Sequence, residues 1–473
     1  MAVAEAKSAG RLDERAAGSS PAGPVELDTP VRRPPVLSTP SALQTLMFGL
    51  APMEFNLRAN RQLGDVWRID LPSQREPFVM TSHPDHVKAL FTADPADAPS
   101  LTSETPLRPI MGPNSVLMLV GERHMRERKL LLPPFHGEAV QRYVSMISEV
   151  AEREIDRWPV GRPFALAPRM QAITLDVIMS GLFGIDGTPG RGTPEYRMRE
   201  TFRRLMRVST NILWGLVELQ NIGREEARGV MKWVLAVADR QLYAAIRARR
   251  EQRRPAEEGR TDVLSLLLNA RVDDGRELTD HEIRDEMMSL VLAGHETTAN
   301  SLAWTFERLV RAPAAYERLC QLVRASDPGA PEYVEATIHE GMRVRPVIPA
   351  IVRMAARPWR LGDYVVPAGT PIGVSIVALH HRPDVYPDPH EFRPERFLGV
   401  KPGTYTWIPF GGGIRRCLGA SLAMAEQRVV LEAIARRTDL VPSRRSREHA
   451  RQRNVTMIPN RGGRVRVEAR YAG

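Results

Sequence analysis

The chain has 473 residues, of which 43% are hydrophobic, and this is enough to bury a core in one large helical body or in two or three domains. The formal net charge is +10, but the arginines are scattered and lack an interleaved aromatic platform, which argues against a nucleic-acid-binding protein. Two origins of the charge stay open, an arginine-rich coding bias and a basic patch that guides an acidic partner protein.

Cysteine usage and the N-terminal segment bear on compartment and domain organisation. With only Cys320 and Cys417, the chain has no disulfide framework and no C-x-x-C zinc motif, so we expect a reducing, cytoplasmic compartment. Residues 1–40 lack the apolar core of a secretory signal, and their composition predicts a disordered tail ahead of one domain over residues 41–473. No stretch approaches the roughly 18 apolar residues of a membrane-spanning helix.

The folded region begins with short strands and one long loop. Residues 64–71 and 78–81 are β-prone on either side of a proline-containing turn, which predicts a hairpin, and a helix should begin near His83. Residues 92–119 are too long for an ordinary connection, and loops of this length often line a pocket.

A basic helix is predicted over residues 122–132, ahead of two prolines. His124 and Arg128 share one face of it because they are four positions apart. From the helix alone, these residues could simply be a solvated face.

Residues 138–250 have a largely helical pattern. Within them, residues 212–217 form an apolar island that fits core packing better than a mobile lid or a membrane contact. Residues 247–260 are charged and contain proline and glycine, which predicts an exposed connection.

A long helix is predicted from the capping box at Thr279 and Glu282 to about Ala312, a length of roughly 50 Å. Its middle, residues 293–298, is polar and contains Gly294, where a missing side chain would let a ligand approach. A helix of this length crosses a whole domain, so its middle could lie over a buried cofactor. A locally bonded polar pair in a helix kink is the alternative explanation for this run.

Further along, Glu340 and Arg343 form an E-x-x-R pair on a helix, which by itself is a weak signal. Residues 362–378 should form a hairpin, and residues 454–467 supply another short β segment. The predicted fold class is therefore mainly α with minor β.

Near the C-terminus, a glycine-rich loop delivers Cys417 to the start of a predicted helix. Helix N-termini, arginines and backbone amides lower the pKa of a thiol, and we expect all three at Cys417. Successive glycines let the backbone pass close under a flat ligand, and Phe410 can shield the sulfur from water. The glycine spacing from Gly411 does not match a dinucleotide-binding loop, because the sixth position is Arg416.

The loop resembles the haem-binding loop of cytochrome P450 enzymes at every fixed position: Phe410, Gly413, Arg415, Cys417 and Gly419. The segment 293–298 likewise resembles the A-G-x-E-T-T run of that family, and residues 392–397 resemble the segment whose arginine joins the E-x-x-R pair. The resemblance covers roughly residues 41–470. It implies the cytochrome P450 fold, with the long helix over a buried haem.

The resemblance also implies roles for individual residues. Cys417 would be the iron ligand of haem b, and Glu296 and Thr297 would be the catalytic acid and alcohol that deliver protons. Four cations, His124, Arg128, Arg353 and Arg415, would hold the haem propionates. The remaining cofactor-binding residues would be Ala293, Gly294, Phe410, Gly411 and Gly419.

The implied function is a monooxygenase that inserts one oxygen atom from O2 into a lipophilic molecule such as a steroid, terpenoid, fatty acid or polyketide. Because the sequence has no flavin or iron-sulfur motif, electrons would come from a separate ferredoxin or flavodoxin with its reductase. Two alternatives stay open: a haem-binding or sensor protein without turnover, and a peroxide-driven oxidase or isomerase on the same fold. No transmembrane anchor or nucleic-acid partner is expected.

Overall fold

Helices make up about half of the structure, a computed structural model that describes residues 18–70, 77–101, 105, 107–185, 189–209, 214–221, 223–251, 262–272 and 275–472. The helices in chain order are α1 (Ser41–Leu50), α2 (Pro52–Leu63), α3 (Pro84–Thr92), α4 (Arg108–Met111), α5 (Gly121–Leu131), α6 (Glu138–Ile155), α7 (Ala167–Phe183), α8 (Pro194–Ser209), α9 (Trp214–Leu219), α10 (Gly229–Glu251), α11 (Val263–Asn269), α12 (Asp280–Leu309), α13 (Pro313–Arg324), α14 (Ala330–Val344), α15 (Ile376–Leu379) and α16 (Ala420–Arg437).

The strands are short and form small sheets. They are β1 (Ala22–Pro24), β2 (Val66–Ile69), β3 (Phe78–Thr81), β4 (Phe164–Ala165), β5 (Ala350–Met354), β6 (Trp359–Leu361), β7 (Tyr364–Val366), β8 (Pro371–Ser375), β9 (Thr438–Pro442), β10 (Ala450–Arg453), β11 (Thr456–Pro459) and β12 (Arg464–Arg470). The sheet orders are β2-β3-β8-β5, β1-β6-β7 and β4-β12-β9, with β10-β11 as a separate pair. The predicted class, mainly α with minor β, is confirmed.

The long helix α12 runs through the main hydrophobic core. Both halves of its predicted capping box are present: the Thr279 hydroxyl accepts from the backbone N–H of Glu282, whose carboxylate accepts from the N–H of Thr279. Along its length α12 packs against α7, α14, α10 and α16. Most of its side chains are buried from Ile283 to Leu309, so packing on all sides, more than helix propensity, holds it in place.

The N-terminal segment differs from the predicted tail over residues 1–40. β1 pairs antiparallel with β6, and Arg32 and Val36 form isolated bridges with Val365 and Arg68. Backbone hydrogen bonds to sheet edges therefore hold residues 22–36 against the body, which low hydrophobicity alone could not reveal. Residues 1–17 lie outside the described part of the chain.

Strand pairing confirms one predicted hairpin and contradicts the other. β2 and β3 pair antiparallel, as predicted for residues 64–81. β7 pairs instead with β6, whereas β8 lies parallel to β3 and antiparallel to β5, so residues 362–378 span two sheets. Part of the apolar island at residues 212–217 and most of the connection at 247–260 fall outside the described residues. No described helix combines the length and hydropathy needed to cross a bilayer.

Candidate active site

The loop before α16 carries the accessible thiol of Cys417. The Cys417 N–H donates to the Phe410 carbonyl at 2.9 Å, which closes the loop on itself. Gly411 and Gly413 have φ of +66° and +61°, a conformation that side chains rarely adopt. A Cβ on Gly413 would also collide with the Phe91 carbonyl of α3. The loop glycines are thus required by the backbone path and by contact with α3.

The electrostatics of the thiol differ from the prediction of a lowered pKa. Burial raises the pKa of Cys417, while the Gly419 N–H, Arg416 and Arg128 act in the opposite direction without outweighing it. Cys417 is nevertheless an exposed residue, so a ligand can reach it. A metal ion bound there would deprotonate the thiol outright, which makes a lowered intrinsic pKa unnecessary.

The predicted propionate-binding cations lie together near this loop. Burial lowers the pKa of His124 to about 4, assisted by the charges of Arg415, Arg128 and Arg353. The buried Nδ1 of His124 has no hydrogen-bond partner. Burial also lowers the pKa of Arg353 and of Arg415 to about 10, and Arg353 and Arg128 contribute to the Arg415 shift.

Arg353 and Arg415 donate to backbone carbonyls, and no carboxylate in the described part of the chain pairs with either of them. Arg415 donates from Nη1 to the Val116 carbonyl at 3.2 Å and from Nη2 to the Leu119 carbonyl. Arg353 donates to the Val352 carbonyl at 3.1 Å. Partly buried positive charges without a counter-ion are unfavourable, so the cluster is suited to hold an anion with several oxygens. The two carboxylates of a haem fit this requirement.

The middle of α12 presents Ala293 as an exposed residue inside a largely buried helix, with Leu290 and Thr297 half-buried on the same side. Gly294 has a different explanation from the predicted one. A Cβ at this position would lie well inside contact distance of Ile178 Cδ1 on α7 and 3.3 Å from its Cγ1. The glycine therefore allows α12 and α7 to pack closely.

The two polar residues beside Gly294 are held differently. The Thr297 hydroxyl donates to the Ala293 carbonyl at 2.6 Å. Glu296 Oε1 accepts from Arg453 Nε at 2.8 Å and from the Thr456 hydroxyl at 3.0 Å, both on the β10-β11 pair. The segment remains helical, and the Thr297 hydroxyl is bonded to a carbonyl of its own helix.

The E-x-x-R pair of Glu340 and Arg343 is fully buried, and its role is structural. Arg343 Nε and Nη2 donate to the two oxygens of Glu340 at 2.7 and 2.8 Å, and Arg396 Nε donates to Glu340 Oε1 at 3.1 Å. Arg343 also donates to the His380 carbonyl at 2.8 Å, and His380 Nε2 accepts from the Ile408 N–H at 2.9 Å. His380 thus links the pair to the backbone two residues before Phe410.

Sequence reasoning missed His380, Arg453 and Glu218. Arg453 lies 157 positions from its partner Glu296, and no local pattern marks it. Glu218 on α9 is 8% exposed, and burial raises its pKa to about 7, with Glu296 contributing in the same direction. An acidic residue in an otherwise apolar run was the available signal for Glu218.

Comparisons with known proteins agree with this geometry. Residues 35–466 match the family model described as Cytochrome P450. The Mycobacterium tuberculosis protein named cytochrome P450 135B1 is 35% identical over 441 residues, covering 92% of this chain and 91% of that protein. From the same organism, cytochrome P450 137 is 39% identical over 416 residues, covering 87% and 84%.

Solved structures show the same fold. The retinoic acid-bound cyanobacterial CYP120A1 superposes with a TM-score of 0.77 at 22% identity, covering 93% of this chain and 100% of that one. The cytochrome P450DA haem domain gives a TM-score of 0.76, with coverage of 93% and 98%. On the strength of the family match and the mycobacterial relatives, this chain belongs to the cytochrome P450 family, whose members are haem b monooxygenases.

Proposed function

We propose that this monooxygenase inserts one oxygen atom from O2 into a lipophilic small molecule and receives its electrons from a separate protein. The observation that carries the proposal is the pairing of an accessible Cys417 thiol with a nearby cluster of cations that have no carboxylate partner among the described residues. A thiolate that binds the iron and cations that bind the propionates are the two attachments that such a haem needs.

Within this proposal, Cys417 would ligate the iron, and His124, Arg128, Arg353 and Arg415 would hold the propionates. Phe410, Gly411 and Gly419 would contact the haem from the cysteine loop, and Ala293 and Gly294 would contact it from α12. When bound, the thiolate-ligated haem supplies the activation of O2 and the transfer of one oxygen atom to the substrate.

The protein supplies protons through Thr297 and Glu296. The Thr297 hydroxyl, half-buried beside the exposed Ala293, can hold a water molecule on that side of α12. Glu296 accepts hydrogen bonds from Arg453 and Thr456 at the β10-β11 pair. A proton would therefore pass from solvent to Thr297 either through water that reaches the Glu296 carboxylate or after this carboxylate turns away from Arg453. Arg453 would thus regulate how freely Glu296 exchanges protons.

Apolar residues of α12 and of the segment leading into β5 are the proposed surroundings of the substrate. Leu290, Ala293, Ile348 and Ile351 are all at least partly accessible, and the segment that includes Val347 and Ala350 follows α14 into β5. Such surroundings favour steroids, terpenoids, fatty acids or polyketides, because few charged side chains are available to recognise a polar ligand.

A ferredoxin or flavodoxin is the proposed electron donor. The sequence has only two cysteines, and Cys320 is buried, so the chain has no set of thiolates for an iron-sulfur cluster of its own. The net charge of +10 favours an acidic partner.

Two measurements test the function. A lipophilic library is screened for spectral shifts of the ferric haem, and each compound that binds is then incubated with NAD(P)H and a surrogate ferredoxin and reductase. We expect an oxygenated product that contains one atom from labelled O2. Product formation that requires peroxide and does not depend on the electron donors would favour a peroxide-driven oxidase. Binding without any product would favour a sensor.

A further inference from the structure

Arg345, at the C-terminal end of α14, is a largely buried cation. Its Nη1 donates to the Val344 carbonyl at 2.8 Å, and its buried Nε has no hydrogen-bond partner among the described residues. The guanidinium carbon lies 5.5 Å from the ring centroid of Trp304 on α12. Burial lowers the pKa of Arg345 to about 9, and the charge of Arg308 adds to this shift. A buried charge of this kind is unfavourable unless an anion joins it.

Two carboxylates act on Arg345 electrostatically, but neither pairs with it. Glu307 is ion-paired with Arg308 and accepts from Arg311 Nε at 2.7 Å. The side chain of Glu54 is 53% exposed and points its charge into solvent-accessible surroundings. Both carboxylates raise the pKa of Arg345 without outweighing its burial. Within the described ranges, Arg345 therefore has no ion-pair partner.

His381, shortly after α15, contributes a buried hydrogen-bond acceptor. The residue is 6% exposed, and its Nδ1 lies 2.8 Å from the Val377 carbonyl. Because a carbonyl can only accept, Nδ1 carries the proton of the neutral ring and Nε2 keeps a lone pair. Burial lowers the pKa of His381 well below its ordinary value, and the charges of Arg343 and Arg345 act in the same direction. Nε2 is buried and finds no partner in the part of the chain that the structure describes.

Packing makes Arg345 and His381 neighbours of one small core cluster. That cluster contains Trp304, which lies under the Arg345 guanidinium, and Val377, whose carbonyl binds His381. The ring centroid of His390 is 5.3 Å from that of His381, and the charge of Arg345 acts on both rings. A guanidinium with a free donor and an imidazole with a free acceptor are thus grouped together.

His390 connects this group to the protein surface, because it is an exposed residue. Partial burial lowers the pKa of His390, and neighbouring positive charges add to this effect, among them Arg345, Arg61, Arg343 and Arg447. Arg61 and Arg447 are themselves exposed. An anion that arrives from solvent would therefore meet a positive potential on its way to Arg345.

We propose that Arg345 and His381 form a binding site for inorganic phosphate. Arg345 donates to the charged oxygens of the ion, and a phosphate hydroxyl donates to His381 Nε2. Sulfate fits less well, because at neutral pH it has no proton to donate. A phosphate monoester also fits less well, because its second pKa is near 6 and it has mostly lost that proton. The bound ion would join α14 and α12 to the segment that carries His381, a role that goes beyond the proposed function.

Calorimetric titration of the haem-loaded protein at neutral pH and constant ionic strength tests the proposal. The probes are sodium phosphate, sodium sulfate and glycerol 3-phosphate. Haem-loaded protein is used because the cations near Cys417 could otherwise bind the same anions. We expect saturable binding of phosphate, with sulfate and glycerol 3-phosphate about tenfold weaker or more, because they leave the buried Nε2 without a donor. Turnover is not measured, so failure here leaves the proposed function untouched.

Arg345→Gln and Arg437→Gln form a matched pair of buried arginines. Arg437 is 6% exposed but is paired, since it donates to Asp156 at 2.9 Å and to Glu152. We expect Arg345→Gln to weaken phosphate binding about tenfold or more and Arg437→Gln to stay within about twofold of the wild type. In phosphate-free buffer, Arg345→Gln should unfold at the wild-type temperature or above, because it removes an unpaired charge, whereas Arg437→Gln should unfold at a lower temperature.

His381→Asn tests the acceptor separately. The asparagine amide can still donate to the Val377 carbonyl, but nothing replaces Nε2. We expect the variant to bind phosphate only as weakly as the wild type binds sulfate, with its sulfate affinity unchanged.

The proposal is overturned if phosphate gives no saturable binding at constant ionic strength, or if Arg345→Gln binds phosphate as tightly as Arg437→Gln does. Sulfate or glycerol 3-phosphate that binds the wild type as tightly as phosphate would overturn the contact between a phosphate hydroxyl and His381, and so would a His381→Asn variant that still prefers phosphate.

Discussion

Replacing Gly294 by alanine separates two explanations of this glycine: close packing against α7, and space left for a ligand. Alanine gains about 1 kcal/mol in helix propensity over glycine. The new Cβ would overlap Ile178 Cδ1 and lie 3.3 Å from Cγ1, and overpacking of a buried contact costs about 1 to 3 kcal/mol. We therefore expect Gly294→Ala to lose up to about 2 kcal/mol of unfolding free energy.

A second change should restore the loss. Ile178→Val deletes only the overlapping Cδ1 and by itself costs about 0.5 to 1.5 kcal/mol through a small cavity. In the double variant the alanine methyl occupies that space, so we expect a favourable coupling of about 1 to 2 kcal/mol. Urea unfolding of the wild type, both single variants and the double variant measures it.

The control is Gly49→Ala on α1, where an added Cβ meets nothing within 4 Å. Because Gly49 is next to last in α1, it should stabilise by no more than about 0.5 kcal/mol, which shows the helix-propensity term alone. A coupling energy near zero between Gly294→Ala and Ile178→Val would refute the packing explanation. So would a Gly294→Ala variant that is as stable as the wild type but loses substrate oxidation even with Ile178→Val present.

Three further predictions concern stability. Arg343→Ala should lose about 3 to 5 kcal/mol of unfolding free energy in urea titrations, because it leaves Glu340 buried without its two-point partner; retention of wild-type stability would contradict this role. Thr279→Ala should lose about 1 kcal/mol with the capping box, whereas Thr279→Ser should lose little; equal losses would contradict the cap. The folded-state pKa of Glu218 is raised to about 7, so its stabilising contribution is complete below its unfolded pKa near 4.5 and is lost as pH rises through about 7. Glu218→Gln should therefore gain up to about 3 kcal/mol relative to the wild type between pH 4.5 and 8, and a pH-independent difference would contradict the shift.

Local signals predicted the elements that depend on neighbouring residues. The capping box located the start of α12, and the glycine-rich run located the loop that carries Cys417, because both are set by backbone geometry over a few residues. The partners of Glu340 also followed from two short motifs, and the structure joins Arg343 and Arg396 on that carboxylate.

Long-range pairing was harder to predict. Nothing near Glu296 indicates that Arg453 binds it, and nothing in residues 362–378 indicates that β7 and β8 join different sheets. The thiol of Cys417 shows the same limit: its arginine and amide neighbours are visible in the sequence, but the burial that outweighs them depends on the whole fold. At Gly294 the sequence indicates space for a ligand, and it cannot indicate the contact with Ile178, because Ile178 lies on another helix.

The ferrous carbonyl spectrum of the haem-loaded protein tests most directly whether Cys417 ligates the iron. The wild type should show the strongly red-shifted Soret band of thiolate ligation, and Cys417→His should convert it to the spectrum of an imidazole-ligated haem. A wild-type spectrum that already matches imidazole ligation, or protein that stays colourless after reconstitution with haem, would contradict the assignment of Cys417.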